Sequence, residues 1–227
     1  MGEITKNVER LRRELGEYNA FGEKIRIVAA IKTRTVEEIN EAIEAGVDAV
    51  AENKAQEFKE KSEFLLSSCP QHFIGHLQTN KIKYLVGKIA LFHSCDRDEL
   101  ANELAKQSLK RGVISNVLMQ VNIGCEYSKG GYDLAEAKQA FLRLMEMDGI
   151  KVRGVMAMLP DLEDEGYLKE LAIKMRELYD WCKTVAEDIN YLSMGMSGDY
   201  KLCVECGSNM IRVGSTIFGV RNYGGNA

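Results

Sequence analysis

Two cations and two serine–glycine loops are the groups of this chain best suited to do chemistry together. Lys32 closes the apolar run IRIVAAIK (25–32), and Arg212 lies within MIRVGS (210–215). An amine partly withdrawn from water has a lowered pKa and attacks carbonyl carbon more readily. A guanidinium turned inward needs a partner, because an unpaired buried charge is costly. SMGMSGD (193–199) supplies Gly195, Ser197 and Gly198, and GST (214–216) follows directly on Arg212. Hydroxyls and backbone N–H groups in such loops hold anions, above all where a helix begins. Each feature also has an ordinary reading: a lysine solvated at a strand end, an arginine in a structural ion pair with an inward carboxylate, serine and glycine as turn formers.

The elements that must position these groups alternate from end to end. Residues 3–18 form a charged amphipathic helix with Val8, Leu11 and Leu15 at helical spacing. Strands are predicted at 25–32, 47–53, 72–75, 89–94, 115–124, 150–159, 189–194 and 210–215. Helices are predicted at 35–46, 54–66, 79–86, 96–112, 133–147 and 164–187, with a short helical piece at 199–206. Thr35 with Glu38 reads as a capping box and Gly46 as a stop. Eight strands joined by helices are parallel with right-handed connections. They predict an α/β fold, a single-domain (β/α)8 TIM-type barrel over 1–227 with an extra N-terminal helix. An open doubly wound sheet is the alternative, but its glycine-rich first turn is replaced here by IKTRT.

Barrel strands alternate inward and outward. In the first strand Ile25, Ile27, Ala29 and Ile31 form one set, suited to the layer beneath the helices. Arg26, Val28, Ala30 and Lys32 form the other, which puts Arg26 at the bottom mouth and Lys32 at the top. The same parity turns Arg212 inward. The C-terminal mouth is where barrels keep their active sites, and the loops after the last two strands often take a phosphate. A lysine, an arginine and a phosphate cradle at one mouth suit a phosphorylated carbonyl compound. Pyridoxal 5′-phosphate (PLP) fits, and so does the substrate of a lysine-dependent sugar-phosphate aldolase.

Composition removes other classes. A net charge of −4 argues against a nucleic-acid partner. The charge-free stretch Val113–Cys125 is too short and polar for a membrane span. The N-terminus lacks the apolar core of a signal peptide, so a cytoplasmic protein is expected. Cys203 and Cys206 form a CxxC without further ligands, read as reduced thiols with no metal site. His72 and Phe73 read as strand core, His76 as a loop residue, and Lys81 and Lys83 as a solvated helix face.

Five motifs in order carry a resemblance. AAIKTRT (29–35) is similar to an apolar strand followed by Ser-Lys-Thr, with Ile31 in place of serine. VAEN (50–53) stands for Phe-Gly-Glu-Asn, HFIGHLQTNK (72–81) is intact after Gln71 in place of a common tryptophan, and SMGMSGD and RVGSTIFG (212–219) complete the set. Over about residues 5–222 the chain resembles the pyridoxal phosphate homeostasis protein family, single-domain relatives of the alanine racemase barrel. The resemblance implies that Lys32 forms a Schiff base with PLP and that Ser197, Gly214 and Ser215 bind its phosphate. It further implies that Arg212 faces the pyridine nitrogen and that Asn53 lies beside the ring. It implies a carrier or regulator of the free PLP pool in vitamin B6 homeostasis, without substantial catalysis, expected as a monomer that serves PLP-requiring apoenzymes. Alanine racemases add a second base from a further domain, for which NYGGNA after Arg221 leaves no room. An amino-acid racemase or isomerase is the alternative function, and a cofactor-free lysine aldolase the third.

Overall fold

Alternating apolar positions in short runs, separated by amphipathic stretches, produce a closed barrel. The structure is a computed structural model and describes residues 2–126 and 129–219. The tail 220–227, invoked in the racemase comparison, lies outside the described residues. Nine strands run in chain order: β1 Arg26–Ala30, β2 Ala49–Glu52, β3 Gln71–Phe73, β4 Leu91–Cys95, β5 Ser115–Asn122, β6 Tyr132–Asp133, β7 Ile150–Ala157, β8 Tyr191–Ser193 and β9 Met210–Val213. The helices are α1 Glu3–Leu15, α2 Val36–Glu44, α3 Ala55–Lys61, α4 Asp98–Lys110, α5 Ala137–Met145, α6 Glu165–Val185, α7 Tyr200–Glu205 and α8 Ser215–Phe218. The sheet order β4-β3-β2-β1-β9-β8-β7-β5-β6 is closed by pairing of β4 with β5. Eight parallel strands therefore form the expected TIM-type barrel, and β6 hangs on the upper end of β5.

Local chemistry explains the agreement and the departures. Thr35 Oγ accepts from the Glu38 N–H while Glu38 accepts from the Thr35 N–H, so the capping box that starts α2 is complete. The segment 79–86 is not an α-helix but a 3-10 turn over Thr79–Tyr84, with no side-chain cap to start it. The helix expected over 54–66 stops at Lys61 and continues as a 3-10 turn. The helix expected from 133 starts at Ala137, because Tyr132–Asp133 pairs with β5 and the Tyr132 hydroxyl donates to Asp98 Oδ1 at 2.8 Å. Beyond β9 the chain forms α8, which the sequence reading left as loop.

The parity of β1 is as read. Ile25, Ile27, Ala29 and Ile31 pack with Val8 and Leu11 of α1 and Ile39 of α2. Val28 packs inside the barrel with Ala49, Ala51, Leu91, Leu118, Met156 and Met210. The valine, leucine, isoleucine and methionine side chains among these each contribute roughly 1.5–3 kcal/mol when fully buried. Arg26 stacks over Tyr191 at 5.0 Å at the lower end. Its partner in the alternation, Lys32, lies past the upper end of β1.

Candidate functional site

Strand register brings the predicted residues to comparable heights. Val28 pairs with Arg212 on one side of β1 and Ala30 with Ala51 on the other. Continued two residues upward, this register sets Lys32 level with Asn53 past the β2 end and Ala30 level with Gly214 past β9. The Lys32 amine makes no hydrogen bond or ion pair among the described residues. β1 is stopped by Thr33, whose φ of 65° is an unusual conformation for a β-branched residue. Its N–H donates to Glu57 Oε2 at 2.9 Å, which fixes the turn that presents Lys32.

Glu57 belongs to a small ionic network below Asn53. Lys61 Nζ lies 3.0 Å from Glu57 and 3.2 Å from Glu52. Glu52 is buried, and its Oε2 accepts the Asn53 N–H at 3.0 Å. Burial raises the Glu52 pKa, and Lys61 opposes the rise. Asn53 is thus held by its backbone, while its Oδ1 is buried with no donor among the described residues. A buried acceptor without a partner is a group a ligand can satisfy. Gly75 is required beside it, since a Cβ there would lie 1.9 Å from the Asn53 carbonyl oxygen.

On the opposite side, the two serine–glycine loops meet. Gly214 and Thr216 direct their N–H groups at Ser197 Oγ, at 3.3 and 3.4 Å. One oxygen between two backbone donors is the arrangement a phosphate oxygen seeks. The second donor is Thr216, the last residue of the GST loop. Ser215 is exposed at the start of α8. A cavity of about 630 Å³ also borders Ser197, but Glu163, Glu165, Asp199 and Glu205 line it against the one cation Lys201, which disfavours a phosphate there.

Arg212 is buried in the barrel. Burial lowers its pKa to about 10, which leaves it charged at neutral pH. The anticipated inward carboxylate is not its partner among the described residues. Nη1 donates to Ser193 Oγ at 2.7 Å and Nη2 to the Ala157 carbonyl at 2.9 Å. Behind Ser193 stand two buried histidines the sequence reading did not connect. His93 Nδ1 lies 3.1 Å from Ser193 Oγ, and His93 Nε2 lies 3.0 Å from His72 Nδ1. His72, read as plain core, is therefore part of a polar chain; Phe73 is core. The signal was present in the parity of LFHSC (91–95), which turns His93 to the same side as Leu91.

The remaining candidates fall outside the mouth. His76 is largely exposed and lies 3.1 Å from Asp96. Cys203 and Cys206 are buried free thiols, and burial raises the Cys203 pKa far above the ordinary thiol range. Among the described residues no helix is long and apolar enough to cross a membrane.

A free amine, an orphaned amide oxygen, an oxygen-binding pair of N–H groups and a buried cation fit PLP: an aldehyde, a ring, a phosphate and a pyridine nitrogen. Comparisons agree. Residues 1–222 match the family described as alanine racemase, N-terminal domain. The pyridoxal phosphate homeostasis protein of Aquifex aeolicus (strain VF5) is 40% identical over 202 residues, 87% of this chain and 88% of that one. The protein of the same name from Escherichia coli (strain K12) is 36% identical over 207 residues, 88% of each chain. The structure of PipY of Synechococcus elongatus PCC7942 with PLP bound superposes with a TM-score of 0.83 at 27% identity, covering 95% of this chain and all of the other.

Proposed function

The chain belongs to the alanine racemase N-terminal-domain family and, within it, to the pyridoxal phosphate homeostasis proteins, and from that premise we propose that it binds PLP at the upper mouth of the barrel. Lys32 would hold the aldehyde carbon through its amine nitrogen, the carbonyl oxygen leaving as water. Ser197 and the backbone of Gly214, Ser215 and Thr216 hold the phosphate. Asn53 offers its unpartnered Oδ1 beside the ring, and Arg212 faces the pyridine nitrogen. Bound PLP supplies an electron sink for carbanions at an amino-acid α-carbon.

The observation that carries the reading is Arg212, buried and, among the described residues, hydrogen-bonded only to neutral acceptors, with the Asp199 carboxylate favouring its charge from a distance without bonding to it. A cation opposite the pyridine nitrogen disfavours protonation there, since two positive charges would face each other. The ring is then a weak sink, which suits a carrier of the cofactor better than a racemase. In this reading one domain over 1–227 acts as a cytoplasmic monomer that keeps PLP available to PLP-requiring apoenzymes.

Borohydride reduction of the PLP-loaded protein, then peptide mass mapping, is expected to place the pyridoxyl group on Lys32. A label mainly on another lysine overturns the site. Incubation with PLP and L-amino acids is expected to yield D-enantiomer near background, and turnover on the order of 1 s⁻¹, within the ordinary enzyme range, overturns the carrier in favour of the racemase.

A further inference from the structure

Arg212 is the upper end of a polar chain that crosses the barrel. Strands β9, β8, β4 and β3 each supply one member: Arg212, Ser193, His93 and His72, with successive contacts of 2.7, 3.1 and 3.0 Å. At its lower end His72 lines a cavity of about 300 Å³ with Pro70, Asn116, Arg153 and Tyr191. All four members are buried, beside the apolar interior cluster of Leu91, Leu118, Met156 and Met210.

The direction of every hydrogen bond follows from the arginine. A guanidinium only donates, so Ser193 Oγ accepts from it. The Ser193 hydrogen then goes to His93 Nδ1. His93 carries its own proton on Nε2 and donates it to His72 Nδ1. His72 is left with its proton on Nε2. The reverse order would leave the hydroxyl hydrogen of fully buried Ser193 without an acceptor among the described residues. Both rings are neutral in this order. Burial lowers the His72 pKa to about 4 and that of His93 well below the usual value. The groups facing His93 are His72 on β3 and Arg212 on β9, and neither stabilises an imidazolium.

A carboxylate would also orient Arg212, but it would cancel the positive field at the ring nitrogen. A neutral hydroxyl fixes the guanidinium and leaves its charge intact. That hydroxyl needs an acceptor in an apolar interior, and one histidine only passes the requirement on. The second histidine delivers the last N–H to the basal cavity.

Resting on the PLP-binding reading, we propose that Ser193, His93 and His72 are positioning residues, an oriented chain of neutral hydrogen bonds that aims Arg212 at the pyridine-nitrogen end of the cofactor site.

The test compares the wild type with Ser193→Ala, His93→Leu and His93→Gln. Glutamine preserves the order, accepting from Ser193 through Oε1 and donating to His72 through its NH2. In the protein without PLP, imidazole ¹⁵N–¹H NMR is expected to show Nε2–H in both rings from about pH 8 to about pH 5.5, below the ordinary imidazole range. After loading, Ser193→Ala and His93→Leu are expected to release PLP at least about tenfold faster than wild type, as for a lost hydrogen bond to a charged group. The visible absorption of the bound PLP is expected to shift in both. His93→Gln is expected to stay within about threefold of wild type in release rate, well short of the effect of a lost charged hydrogen bond. A His93 proton on Nδ1, or a His93→Gln variant as fast as His93→Leu, overturns the positioning chain while normal PLP uptake leaves the binding reading standing. Wild-type release and spectrum in both broken variants do the same. A wild type that takes up no PLP overturns the binding reading and this proposal with it.

Discussion

Glu52 and Arg212 are both buried ionisable groups in one barrel, and their surroundings are opposite. Glu52, at the end of β2, has the Lys61 ammonium at 3.2 Å and an N–H on its other oxygen. Arg212, in β9, has a hydroxyl and a carbonyl. The first is the usual solution for a buried charge, a nearby opposite charge plus hydrogen bonds. The second keeps its field. A charge neutralised on the spot supports the scaffold, here the turn of Thr33 and the backbone of Asn53. A charge with no bonded counter-ion keeps more of its field at a cost in stability, and that is expected where it acts on a ligand.

The largest effect is expected from breaking the compensated pair. Lys61→Met leaves Glu52 buried beside Glu57 with no cation, and should cost about 3–5 kcal/mol of unfolding free energy at neutral pH. Urea denaturation at several pH values checks the cause. Burial raises the folded pKa of Glu52, so the folded state holds its proton more tightly than the unfolded one. The stability tied to that proton is fully present below the unfolded value of about 4.3 and is lost as pH rises through the folded pKa. Without Lys61 the folded pKa rises further. The deficit of Lys61→Met should therefore shrink steadily as pH falls from neutral toward 4.3. A deficit that does not change with pH would mean that packing of the lysine stem, not the charge of Glu52, is what was lost.

Arg212→Met should do the reverse. It removes two hydrogen bonds and a buried cation without a bonded counter-ion together, so the folding free energy should change by no more than about 1 kcal/mol. PLP affinity should fall at least about tenfold, since the group facing the ring nitrogen is gone. Calorimetry and equilibrium dialysis on one preparation separate the two quantities. A variant that unfolds as readily as Lys61→Met would erase the contrast and make Arg212 a scaffold residue.

What the sequence made legible divides along the same line. Local rules gave the barrel. The period-two sets of β1, the Thr35–Glu38 cap and the regular alternation of strands with helices all act within about a dozen residues. The inward parity of Arg212 was readable too, but not what it would meet. Its partner was expected to be a carboxylate and is Ser193, and the chain behind Ser193 runs to His93, a hundred residues earlier in the sequence. Contacts of that range follow from barrel closure and register, which no local spacing encodes. The strand β6 escaped for a related reason: two residues have no periodicity, and only their pairing with β5 makes them a strand. Lys61 reads as an ordinary surface lysine of α3, and becomes the counter-ion of Glu52 only once α3 is folded back beside the end of β2.

The smallest effect is expected at the neutral rim. Ser197 Oγ accepts from Gly214 and Thr216 at 3.3 and 3.4 Å, long contacts in a partly exposed loop. Water can replace that oxygen when it is removed, so Ser197→Ala should change folding stability by less than about 0.5 kcal/mol. A bound phosphate would take the two N–H groups in its place and gain one donor from the hydroxyl. Losing that donor in a solvent-accessible loop should weaken PLP binding by about fivefold, roughly 1 kcal/mol and below the usual worth of a hydrogen bond to a charged group, because water substitutes for the hydroxyl. Adding Ser215→Ala should deepen the loss by a similar factor, because the backbone donors remain. The measurement is PLP affinity of the single and double variants against Arg212→Met. If the serine variants lose as much as Arg212→Met, the phosphate cradle and not the buried cation dominates retention of the cofactor. If the double variant binds PLP as tightly as wild type, the phosphate does not lie between these loops.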